Sequence, residues 1–590
     1  ITEDVRIHIQ LRARQGEFHA NKDFTTVSFP QNLYETRLDH MTWDMDNQEV
    51  EMQQKEVLEE NRVDIGIDTV MTSGPTYLSL HPQQDSLRFV APLSIYNYAE
   101  RDLNGRNIPF IQIGDAYVFP YNGNVSIKEK AKMDVLKKAK ILANTESRYH
   151  LLRDANIRIT SRNYYSGSAT YDYEDEFGNI YPFRLEEVEM DTSIETRGRG
   201  SVTELDSFML SPYMAYQGEI RMFADNELLT FAGGVKLTHD CPINKQWLKF
   251  ESEINPDSIM IPVDQRMQNV NLNNIYAGTL IARDSTHIYP TFFSGRKDYF
   301  DRNISYADGY LYYNKTEEKY ELASLAKLED HTAAGNYLTL ETDSCHLYGE
   351  GVIDMNLDYG KVDLVTVGNV VHKTRSNRLN MHVMLGLDFF FNIEALKVFG
   401  HEIDSLPDLE PVDLTTMFYK KGMKNLVGTE TAEKLETEMG LYGSYSEIPD
   451  TMSHAILFND VRLSWNQDTR SYRYNGEVGI GLVGDVQVNK KVHAYMEFVE
   501  KGSGDIFDIY LKANDNVWYY LAYSPGGMQV LSSNKEFNQI VFELRANQRR
   551  VKSRAGEPSY IYSLSSNRRM QLFLERFLYY EEEQKLHNER

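Results

Sequence analysis

Apolar and polar residues alternate with period two along most of this chain, the pattern of strands with one buried face. The stretch 216–237, YQGEIRMFADNELLTFAGGVKL, carries one unit twice: Tyr216-Gln-Gly218-Glu-Ile220-Arg-Met222, then Phe231-Ala-Gly233-Gly-Val235-Lys-Leu237. The unit returns from Tyr121 (YNGNVSI), Tyr165 (YSGSATY) and Tyr474 (YNGEVGI), and more loosely from Tyr348 and Tyr359. Alternation that starts at Gly predicts a strand entered from a bend or bulge, and a unit reused along the chain predicts stacked β architecture. A second regularity fits successive rungs separated by insertions of variable length: Asp115-Ala116-Tyr-Val118, Lys138-Ala139-Lys-Ile141, Asp154-Ala155-Asn-Ile157 and Glu187-Val188-Glu-Met190.

Five stretches follow from these patterns. Residues 1–290 form an N-terminal stacked β region. Within it VRIHIQLRAR, FTTVSF, TYLSL and LRFVAPLSIYNY read as strands, 44–54 as an acidic, Met-rich loop or short helix, and 128–143 as strand. Residues 172–179 read as a charged hairpin tip. Residues 291–406 form a second β unit behind a junction at 290–308. Residues 407–450 are a linker with a helical segment over 415–439, broken near Gly422 and Gly428. Residues 451–566 form a C-terminal antiparallel β domain with a hairpin turn at 502–505, and 567–590 form an amphipathic helix. On that helix Met570, Phe573, Leu574, Phe577 and Leu578 make one apolar stripe, facing either the domain's own core or a docked partner protein. The predicted fold class is mainly β: elongated, stacked jellyroll- or solenoid-like sheets, a short helical insert, an antiparallel C-terminal domain and a terminal helix.

At 590 residues the chain exceeds what one core supports. Its 39 Tyr suit half-buried sheet faces, where the ring packs and the hydroxyl stays wet. A net charge of −25 excludes the basic face that a nucleic acid or an anionic membrane would require. No apolar run has the roughly 18 residues needed to cross a membrane. The chain opens on Ile1 without a signal-peptide pattern, which reads as a processed or excised portion. Cys241 and Cys345, the two cysteines, read as buried thiols, with one disulfide as the alternative.

Candidate chemistry is sparse. There is no Gly-x-Ser-x-Gly elbow, no phosphate-binding loop and no His-Glu-x-x-His, and no histidine pair has zinc-ligand spacing. No catalytic residue, cofactor or metal is therefore expected. Two functional routes remain. An open stack of sheets offers an apolar groove for acyl chains. Exposed tyrosines with carboxylates, as in 164–173 and 310–313, suit a glycan-binding or glycan-degrading protein unless those rings line ordinary sheet faces.

The recurring aromatic-x-Gly-x-Val/Ile-x-apolar unit, with YELASLAKLED and NYLTLETDSCHLYGEGVIDM, resembles the OstA-type β-jellyroll repeat of lipopolysaccharide-transport proteins over about residues 60–400. The resemblance implies short strands stacked into a groove that shields lipid in the periplasm. Long insertions, the helical segment and the C-terminal domain depart from it. The Tyr-, Asp- and Asn-rich texture is similar to that of large envelope proteins of the Bacteroidota. By that resemblance the Asp-Ser/Thr-apolar (or Thr) signals mark Thr69, Ser86, Ser258, Ser285, Ser405 and Thr451 as O-glycosylation candidates. The expectation is a non-catalytic structural or assembly protein of the periplasm or outer membrane, binding lipid or an envelope protein partner. The alternative is a glycan-binding or glycan-degrading protein.

Overall fold

The computed structural model describes residues 1–54, 61–64, 69–284, 287–551 and 559–588. The protein is mainly β, with 50% strand and 15% helix, and its large antiparallel sheets include a half-barrel. Two compact units divide the chain: Ile1–Thr238 with Lys249–Met260, and His239–Leu248 with Ile261–Arg590.

In the first unit a seven-stranded sheet runs, edge to edge, through Val5–Gln10, Gln15–Ala20, His40–Asp44, Glu49–Gln53, Leu93–Asn97, Asp102–Arg106 and Val125–Ile127. A separate four-stranded sheet contains Thr25–Phe29, Tyr34–Leu38, Thr76–Ser79 and Arg88–Val90. The rungs expected from Ala116 to Met190 are consecutive strands of an eleven-stranded sheet: Ala116–Phe119, Leu136–Ala143, His150–Ser161, Tyr164–Glu174 and Ile180–Met190. The hairpin tip at 172–179 is held by Asp175, whose carboxylate accepts from the Phe177 and Asn179 backbone N–H groups at 2.9 Å each.

The repeated unit works differently from the expectation. Its Gly lies inside the strand rather than at the entry, except at Tyr121–Gly123, a 3-10 turn ahead of Val125–Ile127, and at Gly360, in a turn ahead of Asp363–Lys373. Within Met214–Phe223 the Tyr216 ring folds along its own strand over Gly218, and its hydroxyl donates to the Glu219 carbonyl at 2.7 Å. A Cβ on Gly218, at φ +143°, would sit 2.7 Å from that hydroxyl and 2.5 Å from the Cα of its cross-strand partner Gly233. Tyr474 repeats the arrangement: its hydroxyl donates to the Glu477 carbonyl at 3.0 Å, over Gly476. At Tyr216 and Tyr474 the unit is therefore an aromatic ring covering the gap that a strand glycine leaves, whereas the Tyr165 hydroxyl bonds the Thr196 hydroxyl at 2.9 Å instead.

In the second unit one sheet of fifteen strands runs from Ile261–Val263 through Tyr310 and Asn466 to Tyr560–Leu564 and Arg550–Val551. Helices cover both of its faces. They are α1 (Leu325–Glu329), α2 (Ile393–Ser405), α3 (Met417–Val427), α4 (Thr429–Tyr442), α5 (Lys535–Glu543) and α6 (Asn567–Asn588). On one face α2 and α5 place Leu396, Phe399, Ile403, Phe537 and Val541 in a core with Phe458, Tyr519 and Leu521. On the other, α3 and α4 place Tyr419, Met423, Ala432 and Leu435 against Met384, Leu457 and Leu482. Adjacent residues such as Leu457 and Phe458 thus face different cores, so the central strands are apolar on both sides.

Several expectations need correction. Residues 44–54 form the end of one strand, a turn and the strand Glu49–Gln53, not a loop or helix. Of 128–143 only Leu136–Ala143 is strand; Glu129–Ala131 is a 3-10 turn. The supposed junction at 290–308 contains two strands, Ile288–Ser294 and Arg302–Tyr306, flanking Tyr276–Ile281. Pro290 fits because its strand is an edge. The helical segment breaks at Gly428 alone; Gly422 lies within α3, where a Cβ would meet Met384 Sδ at 2.5 Å. The C-terminal β region is not wholly antiparallel or wholly β: it contains α5, and Gly527–Ser532 pairs parallel with Tyr560–Leu564.

Cys241 and Cys345 are not free thiols. They form a disulfide with Cα atoms 5.3 Å apart, closing a loop of 104 residues. In the chain-entropy account a loop near that length stabilises by about 4–5 kcal/mol. Iodoacetamide should label no cysteine in the unfolded, unreduced protein and two after reduction. Cys345→Ala should lower stability by about 2–5 kcal/mol. Labelling of both cysteines without reduction would contradict the pairing.

Candidate functional site

The seven-stranded sheet of the first unit has one apolar face, and register shows how it is assembled. Phe18 pairs with Met41, Met41 with Met52, Trp43 with Val50 and Val50 with Tyr96, so these side chains share a face across four strands. Val27 and Phe29 of Thr25–Phe29 meet this face from the four-stranded sheet, with the Phe29 and Tyr96 ring centroids 5.0 Å apart. The two sheets enclose an apolar slot of about 410 Å³ between them. Val27, Phe29, Met41 and Met52 form its buried floor. At its mouth the Trp43 indole N–H donates to the Tyr98 hydroxyl at 3.4 Å, and Tyr98 is exposed. Burial pushes the Tyr96 phenol up from its usual pKa.

The same apolar face continues past the covering sheet. Ile7 lies opposite Phe18 and Ile9 opposite Gly16 on the edge strand Val5–Gln10, and both isoleucines are about half exposed, at 52% and 46%. An apolar enclosure with one polar pair at its mouth suits a chain-like apolar ligand. Its lining also carries the Ile1 amino group and the Thr2 and Ser28 hydroxyls, and no carboxylate, imidazole or thiol. Sequence reading placed Val27 and Phe29 on a strand but Met52 in a loop or short helix; the signal it passed over was the alternation Glu49-Val50-Glu51-Met52-Gln53.

The C-terminal stripe has another role. Met570, Phe573 and Phe577 are buried, and Leu574 partly so, against Tyr510, Tyr520 and Ala522 of the fifteen-stranded sheet. Leu578 alone of the five is exposed, at 41%. The stripe is core, and the docking alternative fails because its own sheet occupies it. Polar contacts fix α6 in place. The buried Arg473 donates to the Phe577 carbonyl at 2.9 Å and lies 4.2 Å over the Phe577 ring, while Arg576 pairs with the buried Glu497.

Among the O-glycosylation candidates, Ser86, Ser258, Ser405 and Thr451 are exposed, the first at a left-handed turn position (φ 55°) and Ser405 at the end of α2. The Thr69 side chain and all of Ser285 lie outside the described residues. The tyrosines considered as a sugar platform mostly line sheet faces: Tyr165, Tyr173 and Tyr313 are buried.

A buried ionic cluster is centred on Glu350. Glu350 accepts from Lys327 at 2.6 Å, Lys421 at 2.9 Å and the Tyr348 hydroxyl at 2.8 Å. Burial alone would raise the Glu350 pKa, but these partners hold it below the usual carboxylate range; burial outweighs pairing for Lys327, whose pKa falls. Lys327 also donates to the His331 and Ala333 carbonyls at 3.0 and 2.6 Å, so its donors are all used. The cluster pins the loop after α1. Among the described residues no group of three His, Cys, Asp or Glu side chains is placed to hold a metal ion. No helix among them is long and apolar enough to cross a membrane. No protein-family model matches the chain, and no curated protein matches it.

Two outcomes follow. Phe577→Ala should destabilise the second unit by about 3–5 kcal/mol in denaturant melts, the usual cost of an emptied aromatic site; a change below about 1 kcal/mol would mean the stripe is not core. Glu350→Gln leaves two ammonium groups without their counter-charge and should cost about 3–5 kcal/mol. Because the folded Glu350 pKa is depressed, its contribution is present above the ordinary value of 4.5 and is lost as pH falls below it. The stability gap between wild type and Glu350→Gln should therefore narrow in acid melts; a gap that widens would reverse the assignment.

Proposed function

We propose that this chain is a non-catalytic structural or assembly protein of the bacterial cell envelope that holds an apolar ligand, an acyl chain or the apolar segment of a partner protein, between its sheets. The observation that carries the reading is the slot of about 410 Å³, floored by Val27, Phe29, Met41 and Met52. Its size falls in the ~300–1,000 Å³ range of small-ligand sites, and its lining is apolar and aromatic. The disulfide supports an oxidising compartment, where such bonds persist. A periplasmic or outer-membrane location agrees with this, and Ser86, Ser258, Ser405 and Thr451 are exposed where O-glycosylation would need them.

Trp43 supplies the test. Titration with 9,10-dibromostearate should quench the protein's fluorescence, and Trp43→Phe should remove most of that quenching while leaving the circular dichroism unchanged. Quenching that survives Trp43→Phe would place the acyl chain elsewhere. No quenching at all would remove the acyl-chain form of the proposal.

A further inference from the structure

The opposite face of the same sheet carries a second concavity with different chemistry. Asn104 lies directly across from Ser126 on the sheet's last two strands, Asp102–Arg106 and Val125–Ile127. Arg106, two residues beyond Asn104, shares that face. The 3-10 turn Tyr121–Gly123 and Asn124 close one side, and the segment from Asp134 to Lys137, on its way into the strand Leu136–Ala143, closes the other. Together they bound a cleft of about 570 Å³ that opens to solvent.

The polar side chains there are uncommitted. Asn104, Arg106, Asn124, Ser126 and Lys137 make no side-chain hydrogen bond or ion pair with any described residue. Elsewhere on the unit Arg101, Arg153, Arg199 and Arg221 have carboxylate partners while Arg6, Arg37 and Arg158 have none among the described residues; the cleft differs in gathering five uncommitted polar groups. Tyr121 stands 55% exposed beside them, with the Lys138 ammonium 5.7 Å from its ring centroid. Asp134 is the one carboxylate in the lining, against two cations, in a chain whose net charge is −25.

The geometry points to a binding site for an acidic oligosaccharide. Amides and a hydroxyl that both donate and accept match the hydroxyl groups of a sugar. An exposed phenol ring offers a π-face to the C–H edge of a pyranose. The Arg106 guanidinium presents the fork that recognises a carboxylate or sulfate, with Lys137 as a second charge. The lone carboxylate argues against hydrolysis, which ordinarily requires a pair. The ligand class is thus a saccharide bearing carboxylate or sulfate groups. The site stands independently of the apolar slot, whose residues occupy the other face of the sheet.

The full chain is tested on an array carrying oligogalacturonate, oligoalginate and heparin oligosaccharides beside maltotetraose and cellotetraose. The expected result is retention of at least one acidic class, with the neutral sugars unbound. Whether carboxylate or sulfate is the anion is read from which class is retained. The double variant Arg106→Glu/Lys137→Glu should weaken that binding at least tenfold, and Tyr121→Ala severalfold. Both sets of substitutions are at exposed positions, so thermal melts should match wild type and dibromostearate quenching should persist. Failure to retain any acidic sugar, equal retention of neutral sugars, or acidic binding untouched by the charge reversal would each overturn the proposal.

Discussion

A sheet with an apolar face must have that face covered, and the way each cover is provided organises this molecule. The fifteen-stranded sheet is apolar on both sides through its centre. Helices α2 and α5 close one side; α3, α4 and α6 close the other. Close approach is secured by glycine: a Cβ on Gly400 of α2 would meet Val486 Cβ at 2.6 Å, and Gly422 of α3 lies as tightly on Met384. Polar groups brace these covers, as with Arg473 on the Phe577 carbonyl and Lys327 on Glu350. In the first unit the cover is incomplete. The four-stranded sheet reaches Val27 and Phe29 over the larger sheet and stops short of Trp43 and Ile7, and the slot is what remains.

How much of this was legible in the sequence follows from the same constraint. Strands with one face buried announce themselves by alternation, so His150–Ser161 and the hairpin Met214–Phe223/Leu229–Leu237 are visible in the chain, as is Val5–Gln10, whose alternating isoleucines are only half covered. Strands covered on both faces, such as Ile506–Lys512 and Trp518–Ser524, read as apolar runs and do not say what covers them. The stripe on α6 was visible, but its partner was not, because i, i+3, i+4 spacing looks the same over a core and over a docking face. The disulfide joins residues 104 apart, a contact that only the assembled fold creates.

The candidate sites were the least legible. Glu49-Val50-Glu51-Met52 was masked by its acidity, although it is a strand whose apolar half floors the slot. The polar cleft has no local signature, because Asn104, Tyr121 and Lys137 come from three separate segments joined by pairing. In the recurring Tyr-x-Gly unit, the clearest pattern in the chain, Tyr216 and Tyr474 are structural: they cover their own strand's glycine and donate to a carbonyl three residues on. Repetition along the chain here reports a packing solution, while ligand chemistry collects where the packing is left open.

The central claim is that the slot between the two N-terminal sheets is occupied by an apolar chain in the protein's natural setting. Native mass spectrometry of the protein purified from its own source in mild detergent addresses it most directly. The account predicts a discrete added mass that organic solvent removes and that Phe18→Glu abolishes without altering the fold. A protein carrying no solvent-extractable mass, or one whose added mass survives Phe18→Glu, would contradict it.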